Sequence, residues 1–150
     1  MAEGRAETEE RRDAVDALVQ LSFLVQGVLA RMAAEHDLSL IQVRLLGILR
    51  DRRPGMLELA RSLGLDKSSM TGLVSRAEKR GLVRRTPSPD DGRAVLVGLT
   101  EAGRELTARC TAEMDREVAA LTASLTAAER ARLTALAGKI LGNTPVAGAG

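Results

Sequence analysis

Residues 56–99 read MLELARSLGLDKSSMTGLVSRAEKRGLVRRTPSPDDGRAVLVGL, and this stretch decides the fold. Its first eight residues place Leu57, Leu59, Ala60 and Leu63 on a short helix. Gly64 is positioned to end that helix, because glycine takes positive φ without penalty, and Leu65 plugs the turn. Asp66 is an N-cap for a second helix over 67–80, whose inward positions are Met70, Leu73, Val74 and Ala77. Gly81 closes it. Residues 82–86 and 94–99 read as two short strands around the turn-rich tip Pro87-Ser-Pro-Asp-Asp-Gly-Arg93. The expected order is helix, turn, helix and a β-hairpin wing.

Positive charge collects on the same stretch. From Lys67 to Arg93 there are seven basic residues (Lys67, Arg76, Lys79, Arg80, Arg84, Arg85, Arg93) and three acidic ones (Glu78, Asp90, Asp91), an excess of +4. The whole chain is only +2, so the remainder sums to −2. The outward positions of the second helix are Lys67, Ser68, Ser69, Thr71, Gly72, Ser75, Arg76 and Lys79. Small polar residues at its start admit a close approach to base edges and phosphates, and the helix N-terminus favours an anion. A basic excess on a helix-turn-helix with a wing is the footprint of a duplex-DNA reader. The rival reading is a helical dimer whose winged helix contacts protein and no longer binds DNA.

The flanks are helical and apolar. Residues 1–12 mix Glu and Arg without apolar anchors and read as a disordered start. Over 13–35, Val15, Leu18, Val19, Val25, Leu29 and Met32 recur at helical spacing, and Leu21 and Val28 widen the stripe past half the surface. A helix that apolar must bury two sides, one of them against a second subunit. Ser39-Leu-Ile-Gln42 is a capping box opening a helix over 40–50, with Val43, Leu46 and Ile48 or Leu49 inward, which Asp51-Arg52-Arg53-Pro54-Gly55 ends. Thr100 caps a long helix carrying Leu106, Cys110, Met114, Val118, Leu121 and Leu125. Thr126-Ala-Ala-Glu129 is a second capping box, opening a last helix through Leu133, Leu136, Ala137, Ile140 and Leu141. Residues 143–150 read as a loose tail. The fold class is therefore mainly α with a small wing. One unit spans 13–142, with a winged lobe at 40–99 and a helical lobe at 13–35 and 100–142.

Composition excludes several functions. There is one Phe and no Trp or Tyr, so the stacking platforms that single-stranded nucleic acid needs are absent. One cysteine allows neither an intrachain disulfide nor a thiolate zinc site, and one histidine leaves no metal spacing, so no metal or cofactor is expected. No phosphate loop and no nucleophile–histidine pair points to an enzyme. The acidic, polar start is no signal sequence, and no apolar run approaches membrane-spanning length, so the expected compartment is the cytoplasm. Cys110, on an apolar stripe, reads as a buried structural thiol, and His36 as a hydrogen-bonded structural histidine.

The order of elements resembles the multiple-antibiotic-resistance regulator (MarR) family of winged-helix transcription factors. Leu59-Ala60-x-x-Leu63-Gly64-Leu65 with Ser69-Met70-Thr71-x-Leu73-Val74 is similar to its helix-turn-helix. Gly81-Leu82-Val83-x-Arg85 resembles the entry to its wing. Asp91-Gly92-Arg93 followed by Val95-x-Val97-x-Leu99-Thr100-x-x-Gly103 resembles the wing itself. The chain departs from the pattern at Gly92, where arginine is common, at Met56, where a polar cap is common, and at Ala77, where leucine is usual.

The resemblance implies a homodimeric repressor of a palindromic operator, relieved by a small effector. It puts the helix over 67–80 in the major groove, with Arg85 at the wing's root. Arg93 enters the adjacent minor groove, and Asp91 holds Arg93 or its neighbour. Dimerisation falls to Val15, Leu18, Val118, Leu121, Leu125, Leu133, Leu136 and Ile140. A small anionic or phenolic effector is expected among Leu24, Gly27, Arg31, His36, Arg44 and Ile48, with Arg31 and Arg44 pairing either with its carboxylate or with Glu35 or Asp37. Peroxide sensing through an N-terminal cysteine is not implied, because no cysteine stands there.

Overall fold

Three helices of this chain end in the same turn, and the turns set the architecture. Each turn has a left-handed residue followed by a leucine: Asp37-Leu38, Gly64-Leu65 and Gly81-Leu82 (φ 54°, 66° and 71°). In each, the leucine N–H reaches back five residues to a helix carbonyl: Leu38 to Ala33 at 2.8 Å, Leu65 to Ala60 at 2.9 Å, Leu82 to Ala77 at 3.0 Å. This closes the helix and turns the leucine towards the core. Leu38 and Leu82 are buried and Leu65 is half-buried. Asp37 takes this conformation without being glycine, which short polar residues tolerate best.

The structure, a computed structural model, describes residues 2–143. Its elements are α1 (Ala2–Glu35), α2 (Leu40–Leu49), α3 (Met56–Leu63), α4 (Lys67–Lys79), β1 (Val83–Pro87), β2 (Val95–Leu99), α5 (Glu101–Leu121) and α6 (Ala127–Asn143). Both capping boxes form. Gln42 N–H donates to Ser39 Oγ at 3.3 Å and Ser39 N–H to Gln42 Oε1 at 2.8 Å. Thr126 N–H donates to Glu129 Oε2 at 2.7 Å. Thr100 caps α5 through the N–H of Gly103. Gly55 precedes α3 without a side-chain cap.

The hairpin is antiparallel, pairing Val83 with Leu99, Arg85 with Val97 and Pro87 with Val95. Pro54 and Gly55 add a short third edge through the Val97 N–H to Pro54 carbonyl bond at 2.9 Å and a bridge from Gly55 to Leu96. The core lies beneath α3, α4 and the wing. Leu45, Leu59, Met70, Leu73, Val74, Val83 and Val97 are its largest fully buried members. All four expected inward residues of α4 are buried. Along α2, Leu45, Leu46 and Leu49 are buried, while Val43 and Ile48 are half-buried.

The structure corrects three expectations. Residues 2–12 are helical and continue α1 rather than forming a disordered start. Ala, Glu and Arg are strong helix formers, and Glu7 with Arg11 has the favourable four-residue spacing. Thr8 also donates to the Gly4 carbonyl at 2.7 Å. Asn143 belongs to α6 rather than to the expected tail, whose other residues, 144–150, lie outside the described residues. By length and composition α1 is long and apolar enough to cross a membrane, against the expectation of no such run. Its C-terminal half sits in the core through Val28, Met32 and Ala33, while Val15, Leu18, Leu21, Phe23 and Leu24 are at least half exposed. Among the described residues α6 is almost wholly exposed, its Leu133, Leu136, Ile140 and Leu141 included.

Gly103 holds the hairpin to α5. A Cβ there would overlap the carbonyl of Leu82, which is backbone and cannot yield. Gly103→Ala should therefore destabilise the fold by about 2 kcal/mol or more. Urea denaturation checks this, and a loss below about 0.5 kcal/mol contradicts it.

Candidate nucleic-acid interface

The reading face is built outward from the cap of α4. The Asp66 carboxylate accepts the N–H of Ser69 at 2.7 Å and its hydroxyl at 3.1 Å. These bonds hold the Asp66 carboxyl below its ordinary pKa, the Ser69 N–H contributing most. They also commit the Ser69 hydroxyl to the cap. Thr71 donates its hydroxyl to the Lys67 carbonyl at 2.8 Å, leaving its methyl and oxygen on the surface. Lys67, Ser68, Ser69, Thr71, Arg76 and Lys79 are all exposed on this helix. Gly72 is half-buried beneath Arg76, whose Nη1 would sit 3.2 Å from a Cβ there. The glycine lets that guanidinium fold back along the helix. Between Gly64 and Met70 a groove of about 690 Å³ opens, bordered by Leu57, Leu65, Lys67 and Thr71.

Arg85 joins helix to wing. It stands on β1 and donates to Glu78 at 2.6 Å and to the Ser75 hydroxyl at 3.0 Å, both on α4. Arg85 and Ser75 are half-buried. At the wing tip Arg93 is exposed, and its backbone N–H donates to Asp91 Oδ1 at 3.0 Å. The Ala94 N–H closes the turn on the Asp91 carbonyl, also at 3.0 Å. Asp91 thus fixes the backbone beneath Arg93 and leaves its guanidinium free to extend. The expected DNA-contact residues fall into two exposed groups, the α4 face and the wing tip, with Arg85 tied between them.

Arg80, one of the seven basic residues of the stretch, fastens the end of α4. Its guanidinium donates to the carbonyls of Asp37 at 2.6 Å and His36 at 3.1 Å. The end of the reading helix is thereby tied to the α1–α2 corner. The His36 ring in turn meets Glu113 of α5 at 2.9 Å, in line with a hydrogen-bonded structural histidine. No sequence periodicity announces a bond from residue 80 to residues 36 and 37. Cys110 is buried, and burial pushes its thiol upward in pKa, with Glu113 adding to the effect.

The expected effector residues are not gathered in one place. Arg31 is on an exposed polar cleft between α1 and α5, and its partner is Glu117 at 3.7 Å rather than Glu35 or Asp37. Arg44 lines a separate cavity of about 220 Å³ with Leu29, Met32, Cys110 and Met114. Leu24 and Gly27 are exposed on α1, His36 is bonded to Glu113, and Ile48 packs against the core. Among the described residues no group of three or more His, Cys, Asp and Glu is arranged to hold a metal.

The Arg85–Glu78 bond makes a prediction that runs against simple charge counting. By charge alone, removing an acid beside a DNA-binding face should tighten binding. Glu78→Gln frees Arg85 and loosens the wing on α4, so duplex affinity should instead fall two- to fivefold, from an ion pair worth about 0.5–1 kcal/mol. Tighter binding in a mobility-shift titration would overturn this role.

Residues 36–94 match the sequence profile of the MarR family. The chain is 32% identical over 123 residues to the HTH-type transcriptional repressor NicR of Pseudomonas putida, covering 81% of this chain and 77% of that one. Its fold is similar to that of MarR from Escherichia coli in the apo form (TM-score 0.69, 30% identity, covering 83% and 96% of the two chains). It is also similar to NadR solved in complex with 4-hydroxyphenylacetate (TM-score 0.70, 24% identity, covering 83% and 89%). With its winged helix-turn-helix, its basic reading face and this degree of likeness, the chain belongs to the MarR family of DNA-binding transcriptional regulators.

Proposed function

We propose that the protein is a cytoplasmic, homodimeric repressor that holds a pseudo-palindromic operator and releases it when a small anionic or phenolic ligand binds. The carrying observation is the pairing of an exposed basic reading face with apolar helix faces that one chain leaves open. In this reading residues 40–99 form the reading lobe, and 13–35 with 100–142 the dimer lobe. The α4 face enters the major groove through Lys67, Ser68, Ser69, Thr71, Gly72, Ser75, Arg76 and Lys79. Arg93 enters the minor groove, where a guanidinium meets a concentrated negative potential.

A second copy covers the open faces. Val15 and Leu18 are just over half exposed, Leu133, Leu136 and Ile140 about two-fifths to a half, and Leu121 about a third, with Val118 and Leu125 half-buried beside them. Packing these against their symmetry mates accounts for the apolar length of α1 and for a 17-residue α6 that would be marginal alone. A two-fold dimer then sets the reading helices about 34–36 Å apart, one duplex turn.

The effector site in this reading is the cavity between α1, α2 and α5, not the scattered set of six. It has room for one ring, an apolar wall from Leu29, Met32 and Met114, and the guanidinium of Arg44 for an acid group. The ligand acts by favouring one spacing of the two reading helices over the other.

Mobility-shift titration on the operator tests this. Arg93→Ala should weaken binding at least about tenfold and lower the log–log salt slope by about one for the phosphate that goes unneutralised. Leu136→Asp with Ile140→Asp should give a monomer in sedimentation and weaken operator binding further, since one half-site holds alone. Unchanged affinity in the first variant sinks the minor-groove role, and a dimer in the second sinks the interface.

A further inference from the structure

The solvent side of the wing carries a second cationic surface that the reading face does not use. Directly paired residues on adjacent strands point the same way, so Arg84 and its partner Gly98 share one side of the hairpin. This is the side away from buried Val83, Val97 and Leu99. A Cβ at Gly98 would stand 3.4 Å from Cγ, Cδ and Nε of Arg53. The Arg53 side chain therefore lies across β2 in the space that the missing side chain leaves, beside Arg84. From the first turn of α5, Arg104 reaches the Leu99 carbonyl at 3.1 Å. Arg53 and Arg104 line a cleft of about 200 Å³ with Arg50, Arg52 and Asp51.

The charges there are unevenly matched. Arg50 is paired with Asp51 at 2.9 Å, and Arg52 with Glu58 at 2.5 Å. Among the described residues Arg53, Arg84 and Arg104 have no carboxylate partner, and all three are exposed. Three like charges around Gly98 and Leu99 repel one another, and a polyanion relieves the repulsion. Guanidinium forks suit the paired oxygens of a phosphate.

We infer that the solvent face of the wing, with Arg53 laid over Gly98 and Arg84 beside it, is a phosphate-binding surface occupied by the DNA backbone flanking the operator. Continuity favours this occupant. The strands that carry Arg84 and Gly98 also carry Arg93 at their tip, so a duplex that accepts the tip continues past them. The inference rests on the proposed reading of α4 and Arg93 as DNA contacts. It lengthens the footprint outward, and it adds affinity without adding sequence preference, since phosphates are the same everywhere.

The test compares the wild type, the double variant Arg53→Gln/Arg84→Gln, and Gly98→Val. Each is titrated with an operator duplex carrying long flanks and with one trimmed to the half-sites. On the long duplex the double variant should bind at least about tenfold more weakly, with a salt slope lower by about 0.9 for each phosphate no longer neutralised. The effect should be equal on a scrambled long duplex and small on the trimmed one. Gly98→Val, which lifts Arg53 while keeping every charge, should reproduce part of it. Melting curves of all three check folding, and inorganic phosphate against chloride at equal ionic strength probes free phosphate. An unchanged slope and affinity on the long duplex overturns the inference. So does a phosphate-induced melting shift that the double variant lacks while its DNA slope stays put, which assigns the surface to a free phosphoryl ligand. If the wild type itself binds neither duplex in a salt-dependent way, the DNA reading of α4 fails instead.

Discussion

The backbone of Leu82 runs against Gly103 with no room for a side chain between them. The end of the reading helix is anchored at this approach. The Leu82 carbonyl accepts the Thr100 N–H at 3.0 Å, and the Gly81 carbonyl accepts the Thr100 hydroxyl at 2.5 Å. The end of α4, the roots of both strands and the first turn of α5 thus meet at one point. Arg80 adds a fourth element by holding the carbonyls of His36 and Asp37. The C-terminal end of α4 is therefore fixed by three other elements at once. Its N-terminal end, where the small polar residues lie, is held by its own cap at Asp66 and by the α3–α4 turn.

What can be read from the sequence is what short-range physics controls. Caps, left-handed turns and helical stripes depend on residues within four or five of one another, and these are legible: Ser39 with Gln42, Thr126 with Glu129, Asp66 with Ser69, Gly64 and Gly81. The inward set of α4 follows from its spacing, and so does the hairpin from its turn residues. The strands begin and end within one residue of expectation because register is fixed by burial of Val83, Val97 and Leu99. Long-range pairings are not legible. Arg31 pairs with Glu117, and Arg80 with the corner at 36–37, across separations that no local pattern encodes. The charged start of α1 misleads for a related reason. It has no core face to show, so only its helix propensity and its attachment to an apolar helix speak for order. The six effector candidates do not line one cavity, because helical order gives their neighbourhood but not the side on which each one points.

Charge and burial divide the molecule along the same line. Most of the fully buried side chains lie beneath α3, α4 and the wing, whereas the exposed apolar side chains lie mainly on α1 and α6. A well-packed core resists small displacements, and half-covered helices do not. The lobe over 40–99 is then the well-packed part of the chain, and in the proposed dimer its position relative to a second copy is the soft part. This is the arrangement that a spacing-controlled regulator needs. The DNA face must keep its shape, while the distance between two such faces must be easy to change.

One turn of α5 lies where the two parts touch. Cys110 and Met114 line the cavity between α1, α2 and α5, and Glu113 on the same turn holds the His36 ring. The carbonyls at 36 and 37 hold Arg80, whose N–H ends the α4 helix on Arg76. In the proposed effector reading, an occupant of this cavity touches the same turn of α5 that carries Glu113, and the corner which Glu113 holds through His36 is fastened by Arg80 to the end of α4. Both contacts at this corner are short polar ones between different helices. A buried cysteine held protonated by its apolar surroundings suits such a turn. It fills space as a small hydrophobe and makes no competing charge next to Glu113.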